Sequence, residues 1–236
     1  MENLDLTPAF AGSYAGRRVL VTGHTGFKGS WLCLWLQSMG AEVAGYALDP
    51  DTNPSHWQAL GLRLSQDTRA DLSNREALGT AMGEFRPELV LHLAAQPLVR
   101  RSYADPASTF ETNVSGLVNL FEAVRGCPSV RAVVNATTDK VYEPPSPPGG
   151  YRESDPLGGH DPYSASKACA EIISASYRRS FFRLGNDRRD PLRLATARAG
   201  NVVGGGDWAN DRLVPDLVRA IRAGEPLRLR TPTATR

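Results

Sequence analysis

The feature that most restricts the fold of this chain is a glycine-spaced loop between a short apolar run and a helical pattern. Residues 18–22 read RVLVT, which is typical of a buried strand, and residues 27–39 carry apolar side chains at helical spacing. The loop between them follows a G-x-x-G-x-x-G pattern, which lets main-chain amides approach a pyrophosphate at the helix N-terminus. It predicts a dinucleotide site formed by Gly23, Thr25, Gly26, Phe27, Lys28 and Gly29.

A second apolar run at residues 42–48 completes a strand, helix, strand unit and ends before Asp49. A carboxylate at this place can hydrogen-bond the adenosine ribose hydroxyls and would repel a 2′-phosphate, which favours NAD over NADP. Asp51 is an alternative for this role, and Asp49 is alternatively a turn cap. Asp71 and Leu72 are candidates for contact with adenine, although Asp71 is also compatible with a structural role at a helix start.

Apolar strands and long helical patterns alternate along the rest of the chain. Strands are predicted at residues 89–93, 130–135 and 192–197, and helices at residues 106–125, 163–182 and 213–223. Strands that alternate with helices of this length indicate a parallel sheet covered on both faces, so the predicted fold class is α/β with a doubly wound parallel sheet. A proline- and glycine-rich segment at residues 144–150 predicts a surface loop.

Composition and charge argue against several functional classes. A net charge of +2 with scattered basic residues gives no reason to expect a nucleic-acid partner. There is no apolar stretch long enough for a signal peptide or a membrane span, and the three cysteines are widely spaced, so we expect a cytoplasmic protein with reduced thiols and no membrane contact. The four histidines and three cysteines show no metal-ligand spacing, so no metal site is predicted.

Lysine is rare here, and each lysine lies in a segment that suggests chemistry. The 27 Lys and Arg residues include three lysines, Lys28, Lys140 and Lys167. Lys167 follows Tyr163 by four residues, which places both on one helix face, so we expect the cation to lower the pKa of Tyr163 and make it a general base. Thr138 is placed to donate a hydrogen bond to the same substrate oxygen. Alternatively, Tyr163 and Lys167 lie on an exposed helix face, and Thr138 has only a structural role at the end of a strand. For Lys28 the alternative is a position on the rim of the site.

Together these motifs resemble the extended short-chain dehydrogenase/reductase superfamily, which has a Rossmann-type fold. The resemblance covers the chain from residue 15 onward and rests on the glycine loop, on HLAAQ at residues 92–96, on Thr138, and on Tyr163 with Lys167. It implies NAD as the cofactor, with Tyr163 and Lys167 beside it. Further cofactor contacts are implied for Leu93, Ala94, Ala95, Gln96 and Asn113.

Within this superfamily, TDKVY at residues 138–142 is similar to the sugar-nucleotide 4,6-dehydratases, which carry an acid after the active-site threonine. Most of them continue with Glu, and the Lys140 found here is similar to the branch that acts on CDP-glucose, as is RAGNVVGGGDW at residues 198–208. The implied reaction is dehydration of CDP-glucose to CDP-4-keto-6-deoxyglucose with tightly held NAD. Asp139 would protonate the departing 6-hydroxyl, and Lys140, if neutral, would take the C5 proton. Candidate substrate contacts, each also compatible with an ordinary surface position, are Arg100, Asn201, Arg212 and Arg236.

The sequence also suggests domain boundaries, an oligomeric state and alternative activities for the protein. The sequence stops at residue 236 without a closing element, so we expect an NAD-binding domain over residues 1–190 and, over 191–236, its last strand with the start of a smaller, truncated substrate domain. The helices at residues 106–125 and 163–182 resemble those that pair in family dimers, so a homodimer or larger homo-oligomer is expected. The rival functions are a sugar-nucleotide 4-epimerase, which needs no acid at position 139, and a non-catalytic NAD-binding module.

Overall fold

The computed structural model describes residue 6, residues 8–144, 149–182 and 192–227, and residue 229. These residues form a six-stranded sheet in which every neighbouring pair of strands is parallel, with the order 3-2-1-4-5-6. The strands are β1 Arg18–Thr22, β2 Glu42–Ala47, β3 Gln66–Arg69, β4 Leu89–His92, β5 Ala132–Ala136 and β6 Arg193–Ala197. This order is that of the Rossmann fold, and the predicted fold class is confirmed.

Helices cover both faces of the sheet. They are α1 Phe27–Ser38, α2 His56–Leu60, α3 Arg75–Phe85, α4 Val99–Ala104, α5 Pro106–Phe110, α6 Gly116–Arg125, α7 Pro162–Tyr177 and α8 Leu213–Ala223. A π-helical turn, Glu111–Ser115, joins α5 to α6, and a second one, Arg178–Phe182, follows α7. The predicted helices at residues 106–125 and 163–182 are therefore continuous but irregular. No helix within the described part of the chain has both the length and the apolar character needed to span a membrane.

The central strands are mostly apolar because the middle of the sheet is buried on both sides. Val19 and Val21 of β1 pack into one hydrophobic cluster with α1, while Leu20 between them packs into another with α3 and α6. Adjacent residues of a strand point to opposite faces, so a strand covered on both faces has no polar alternation. This explains why the central strands were readable from the sequence.

The connection from β3 to β4 crosses the sheet, because β4 pairs with β1 on the side opposite to β2. Ligands of open α/β sheets bind at such a switch point, outside the carboxyl ends of the strands. The glycine loop, the segment after β4 and the segment after β5 all start at this edge. Beyond β5, Tyr142 forms an antiparallel bridge with Leu157. Residues 145–148 of the predicted loop at 144–150 lie outside the described residues.

Candidate active site

The glycine loop lies at the carboxyl end of β1, against the segment that follows β4. Gly23 has a φ of +72°, and a Cβ atom there would lie 2.7 Å from the main-chain nitrogen of Ala94. A Cβ atom at Gly29 would lie 2.1 Å from the Gly23 carbonyl oxygen. No side chain caps α1 at Gly26 among the described residues, which leaves the first amides of the helix available to an anion. The loop is thus a cradle that side chains would fill, and it fits the diphosphate of a dinucleotide.

Charged side chains meet at the carboxyl ends of β2 and β3. Asp49 is exposed, and its carboxylate lies 3.6 Å from the guanidinium of Arg69. Arg69 also donates a 2.7 Å hydrogen bond to Asp67, whose other oxygen lies 2.9 Å from Nε2 of the buried His24. Burial lowers the pKa of His24, although the charge of Asp67 opposes the shift. The ribose contact of Asp49, with Asp51 as its alternative, stays a prediction, and sequence reasoning missed the other three residues.

Three further residues that are predicted to contact the cofactor interact with other parts of the chain. Thr25 donates a 2.8 Å hydrogen bond to the carbonyl of Leu48 and so ties the glycine loop to the end of β2. Asp71 accepts a 2.8 Å bond from the amide of Ser73, which is the structural role left open from the sequence. Leu72 is buried in the core, so its side chain is not available to a ligand. Contact of Asp71 or the Leu72 main chain with adenine stays a prediction.

The segment after β4 is fixed from behind by Asn113. The amide of Gln96 donates to Asn113 Oδ1 at 2.8 Å, and Asn113 Nδ2 donates to the Gln96 carbonyl at 3.1 Å and to Ser166 Oγ at 2.9 Å. Asn113 lies in the π-helical turn between α5 and α6 and is buried. It therefore joins the segment that holds Leu93, Ala94, Ala95 and Gln96 to α7. Sequence reasoning placed Asn113 at the cofactor, and its hydrogen bonds here support the walls of the site.

Tyr163 lies in the first turn of α7, where the start of the helix is firmly set. Asp161 forms a capping box with Ser164, Pro162 opens the helix, and the Tyr163 amide donates to Ser102 Oγ at 3.1 Å. The Tyr163 side chain hydrogen-bonds Thr138. That both groups contact the same substrate oxygen stays a prediction. The structure thus brings the predicted phenol and threonine together at the carboxyl end of β5.

The electrostatics of Tyr163 differ from the expectation. Burial raises its pKa, and the lowering contributions come from the Thr138 hydrogen bond and the charge of Arg212. Lys167 Nζ donates to the Ala136 carbonyl at 3.0 Å. Burial, with the charge of Lys28, lowers the pKa of Lys167 itself to about 8. The expectation of a lowered Tyr163 pKa is wrong, since desolvation outweighs the hydrogen bond and the nearby charge that lower it.

Asp139 and Lys140 lie in a single 3-10 turn, Asp139–Val141, directly after β5. Thr138 Oγ1 donates to Asp139 Oδ1 at 3.0 Å, and the Asp139 charge acts on Tyr163. The Asp139 amide donates to the Ala199 carbonyl at 3.1 Å, which ties the turn to the segment after β6. The predicted acid and base are therefore neighbours in one short turn, and the acid lies near the Tyr163 phenol.

The predicted substrate contacts lie on the segments after β4 and β6. Arg100 in α4 forms an exposed ion pair of 3.1 Å with Asp211. Arg212 lies 3.9 Å from Asp207, and its charge lowers the pKa of both Tyr163 and Lys28, so it faces the site. Asn201 is exposed. Arg236 lies outside the described residues.

Lys28 lies close enough to two other positive side chains to interact with their charges, and its contact with a ligand stays a prediction. The protein around it lowers its pKa, the charge of Arg212 lowers it further, and Lys28 in turn lowers the pKa of Lys167. Three positive side chains from α1, α7 and the segment after β6 therefore influence one another across the cleft. Such a cluster favours an anionic ligand, because an anion relieves the repulsion among the cations.

The glycine-rich segment after β6 docks on aromatic side chains of α1 and α2. Trp31 Nε1 donates to the Gly205 carbonyl at 2.8 Å, and the Trp31 ring stacks on His56 at 4.6 Å. A Cβ atom at Gly206, where φ is +83°, would lie 2.1 Å from the His56 ring. Glycine therefore lets this segment approach α1 beside the cradle. Sequence reasoning marked the segment as functional but did not identify its docking partners.

The arrangement combines an anion cradle, a buried phenol with a hydrogen-bonded threonine, and a carboxyl and an amine in one turn. The phenol can exchange a proton with a substrate hydroxyl, and the carboxyl and amine can act on neighbouring atoms of the same substrate. Among the described residues there is no group of three His, Cys, Asp or Glu side chains that could hold a metal ion. The anion cradle and the phenol together point to redox chemistry with a dinucleotide, coupled to proton transfer.

Comparison with known proteins agrees with this geometry. The chain is 50% identical over 224 residues to CDP-glucose 4,6-dehydratase of Salmonella typhimurium, an alignment that covers 94% of this chain and 62% of that protein. It is 33% identical to UDP-glucose 4-epimerase of Mycolicibacterium smegmatis over 89% of this chain and 74% of that one. The chain thus spans about three fifths of the length of the dehydratase.

Two solved structures are also similar. One is dTDP-glucose 4,6-dehydratase from Streptomyces venezuelae with NAD bound, at a TM-score of 0.74 and 27% identity over 88% of this chain and 62% of that one. The other is UDP-glucose 4-epimerase from Thermus thermophilus with NAD, at a TM-score of 0.73 and 32% identity over 89% of this chain and 64% of that one. The model of the NAD dependent epimerase/dehydratase family matches residues 19–236. The chain belongs to the NAD dependent epimerase/dehydratase family.

Proposed function

We propose that the protein binds NAD and catalyses the 4,6-dehydration of CDP-glucose to CDP-4-keto-6-deoxyglucose and water. The observation that carries the proposal is the turn Asp139–Val141, in which the Asp139 carboxylate acts on Tyr163 and Lys140 is the next residue. A dehydratase needs an acid for the departing 6-hydroxyl and a base for the C5 proton, in addition to the groups that act at C4. The 50% identity to a CDP-glucose 4,6-dehydratase supports the choice of substrate.

The cofactor would be held by the cradle at Gly23 and Gly29, by Asp49 at its ribose, and by Lys167 at the reactive end. The positive charges of Lys28 and Arg212 suit the phosphates of a nucleotide sugar or of the cofactor. When bound, NAD would supply the hydride acceptor for oxidation at C4 and the hydride donor for reduction at C6.

Tyr163 takes the proton of the 4-hydroxyl, while Thr138 holds the same oxygen. The resulting 4-ketone acidifies the C5 hydrogen, which neutral Lys140 removes. Asp139 donates its proton to the 6-hydroxyl, so that water leaves and a double bond forms between C5 and C6. Lys140 returns a proton to C5 when C6 is reduced, and the proton taken up by Tyr163 passes to Asp139 or to solvent, which restores the starting state.

The decisive experiment is incubation of the full-length protein with CDP-glucose in deuterated water, followed by mass spectrometry. The expected product is a 4-keto-6-deoxy sugar nucleotide with solvent deuterium at C5. A product that keeps its 6-hydroxyl and differs only in the configuration at C4 would identify a 4-epimerase instead. The chain is also similar to UDP-glucose 4-epimerases, and the cradle, Tyr163 and Lys167 do not distinguish an epimerase from a dehydratase. A 4-epimerase is therefore the second candidate function.

We further propose that residues 1–190 form the NAD-binding domain, and that residues 191–236 contribute its last strand and the start of a substrate-binding region.

We also propose that the protein forms a homodimer through α5, α6 and α7. Large apolar side chains on α5 and α7, Phe110 and Ile172, are exposed, which supports pairing through these helices. Light scattering of the wild type and of Ile172→Glu tests this, because a charge at a paired face would shift the mass to that of a monomer. The cytoplasmic location stays a prediction from the sequence.

A further inference from the structure

An ion pair between the buried Glu171 and the partly buried Arg198 lies one helical turn beyond Lys167. Glu171 accepts hydrogen bonds from Arg198 Nε at 3.0 Å and from Arg198 Nη2 at 3.1 Å, so the guanidinium grips both carboxylate oxygens. Thr137 and Thr196, at the ends of β5 and β6, donate to the same carboxylate at 2.5 and 2.8 Å. The carboxylate is thus occupied by three protein donors from the ends of two strands, which is typical of a structural support and not of a ligand contact.

The pair is built to stay charged. Burial alone would raise the pKa of Glu171, but the hydrogen bonds from Arg198, Thr137 and Thr196 outweigh burial and lower it. The same interaction with Glu171 raises the pKa of Arg198 further above its ordinary value. A guanidinium group that makes two parallel hydrogen bonds to a carboxylate also fixes the relative orientation of the two groups.

This ion pair holds the Asp139–Val141 turn at both ends. Before the turn, Thr137 donates to Glu171, and after the turn, Tyr142 Oη accepts a 2.7 Å hydrogen bond from Arg198 Nη1. Asp139 and Lys140 lie between these two attachments. The helix that supplies Glu171 is also the helix that supplies Tyr163, so one ion pair relates the turn to the phenol.

The Tyr142 ring is fixed independently of its hydroxyl. It stacks on Tyr151 with ring centroids 4.3 Å apart and an angle of 4° between the planes, and its main chain bridges to Leu157. The Tyr151 hydroxyl makes a different bond, of 3.3 Å, to the carbonyl of Glu143. Removal of either hydroxyl therefore leaves the stack in place, but the Tyr142 hydroxyl alone of these two reaches Arg198.

We propose that Glu171, Arg198 and Tyr142 are positioning residues that keep the Asp139–Lys140 turn aligned with Tyr163, and that they serve the elimination step more than the oxidation at C4. The assignment of steps rests on the proposed dehydratase function. Oxidation uses Tyr163 and Lys167, which α7 carries directly, with Thr138 next to the Thr137 attachment, whereas elimination uses two side chains further along the turn, whose place depends on the ion pair. A displacement of about 1 Å in such a group costs about a hundredfold in rate.

The test compares Tyr142→Phe with the matched control Tyr151→Phe in the full-length protein loaded with NAD and mixed with CDP-glucose. Absorbance of the reduced nicotinamide follows oxidation, and mass spectrometry of quenched samples follows elimination. We expect Tyr142→Phe to slow elimination about tenfold or more, with reduced cofactor accumulating, while the rate of oxidation stays within about twofold of the wild type. Tyr151→Phe should match the wild type in both rates.

Amide hydrogen exchange provides a readout that does not need turnover. The Asp139 amide, bonded to Ala199, should exchange several-fold faster in Tyr142→Phe and unchanged in Tyr151→Phe. Equal slowing of oxidation and elimination, or exchange at the wild-type rate in Tyr142→Phe, overturns the inference. If the wild type forms no dehydrated product, the proposed function has failed, and the exchange comparison alone then decides whether the ion pair holds the turn.

Discussion

The helix that carries Tyr163 and Lys167 and the segment that carries Asn201 and Arg212 are held in opposite ways. In α7, Ser164, Ser166 and Lys167 are buried, and the helix is tied to its neighbours by buried hydrogen bonds. Residues 201–205 are exposed, and the segment is held by contacts at or near the surface, among them the indole bond to Gly205, the Arg100–Asp211 ion pair and a 3.9 Å approach of Arg212 to Asp207. The chemical groups are thus fixed by the fold, whereas the groups proposed to contact substrate lie on a more weakly attached surface.

The difference leads to separate expectations for substitutions in the two regions. Changes on α7 and at the cradle should affect chemistry, cofactor affinity or the pH dependence of folding. Changes on the exposed segments should alter the Michaelis constant for the sugar nucleotide with little effect on stability.

The largest effect is expected for Tyr163→Phe. Loss of the phenol removes the group that takes the 4-hydroxyl proton, and general acid–base groups contribute about 10²–10⁴-fold in rate. Turnover of CDP-glucose should fall by that factor, while NAD affinity measured by calorimetry stays close to the wild-type value. Full turnover in this variant would remove Tyr163 from the mechanism and weaken the contrast between the two regions.

Lys140→Ala should separate the two halves of the reaction. The variant should still bind NAD and reduce it with CDP-glucose, but elimination should fall about a hundredfold or more because the base at C5 is missing. Exchange of the C5 hydrogen with deuterated solvent measures this directly. Exchange at the wild-type rate would show that another group is the base.

The free energy of unfolding should depend on pH through Lys167. Its pKa in the folded protein is lowered to about 8, chiefly by burial, whereas in the unfolded chain a lysine titrates near 10.4. Between about pH 8 and pH 10 the unfolded state binds a proton that the folded state has released, so stability rises with pH in this window. Below about pH 8 both states are protonated and this contribution stays constant.

Lys167→Met should remove that rise. Urea unfolding at several pH values should show a smaller increase for the variant than for the wild type, by on the order of 2–3 kcal/mol across the window. Equal slopes for the two proteins would mean that Lys167 keeps an ordinary pKa in the fold.

Gly29→Ala should disturb the cradle, because its Cβ would lie 2.1 Å from the Gly23 carbonyl oxygen. Overpacking of this kind costs about 1–3 kcal/mol, and NAD affinity should fall along with stability. Gly79→Ala is the matched control, since no atom lies within 4 Å of a Cβ at that helical position, and it should stabilise the protein by about 0.4–1 kcal/mol. Wild-type NAD affinity in Gly29→Ala would contradict the proposed diphosphate site.

The smallest effect on stability is expected for Arg100→Ala. Its ion pair with Asp211 is exposed, and such pairs contribute about 0–1 kcal/mol. If Arg100 contacts the substrate, the Michaelis constant for CDP-glucose should rise while the maximal rate changes little. A large loss of stability would instead show that the exposed segment is more firmly attached than its contacts indicate.

The sequence predicted those parts of the molecule that depend on local patterns. The central strands are mostly apolar because both faces of the sheet are covered, and the cradle requires glycine for steric reasons that hold in any context. Strand β3 reads QDTR, with no apolar residue, and was missed because its place at the sheet edge is set by pairing with β2. Helix α3 was missed as well.

Contacts between segments that are far apart in the sequence could not be predicted from the sequence. Glu171 and Arg198 are ordinary charged residues in the sequence, and only the adjacency of α7 and β6 brings them together. The pKa of Tyr163 was predicted with the wrong sign because helical spacing gives the neighbouring charge but not the extent of burial. Spacing thus identified the chemical groups, whereas the fold determines their environment.

The π-helical turn Glu111–Ser115 has a consequence for how this helix tolerates insertion and deletion. A π turn accommodates one residue more than the α-helical path would, and each residue rotates an α-helix by about 100°. Loss of a single residue between α5 and α6 would therefore turn the Asn113 amide away from Gln96 and Ser166, even with every side chain retained. At this point the number of residues, as much as their identity, keeps the two walls of the cleft joined.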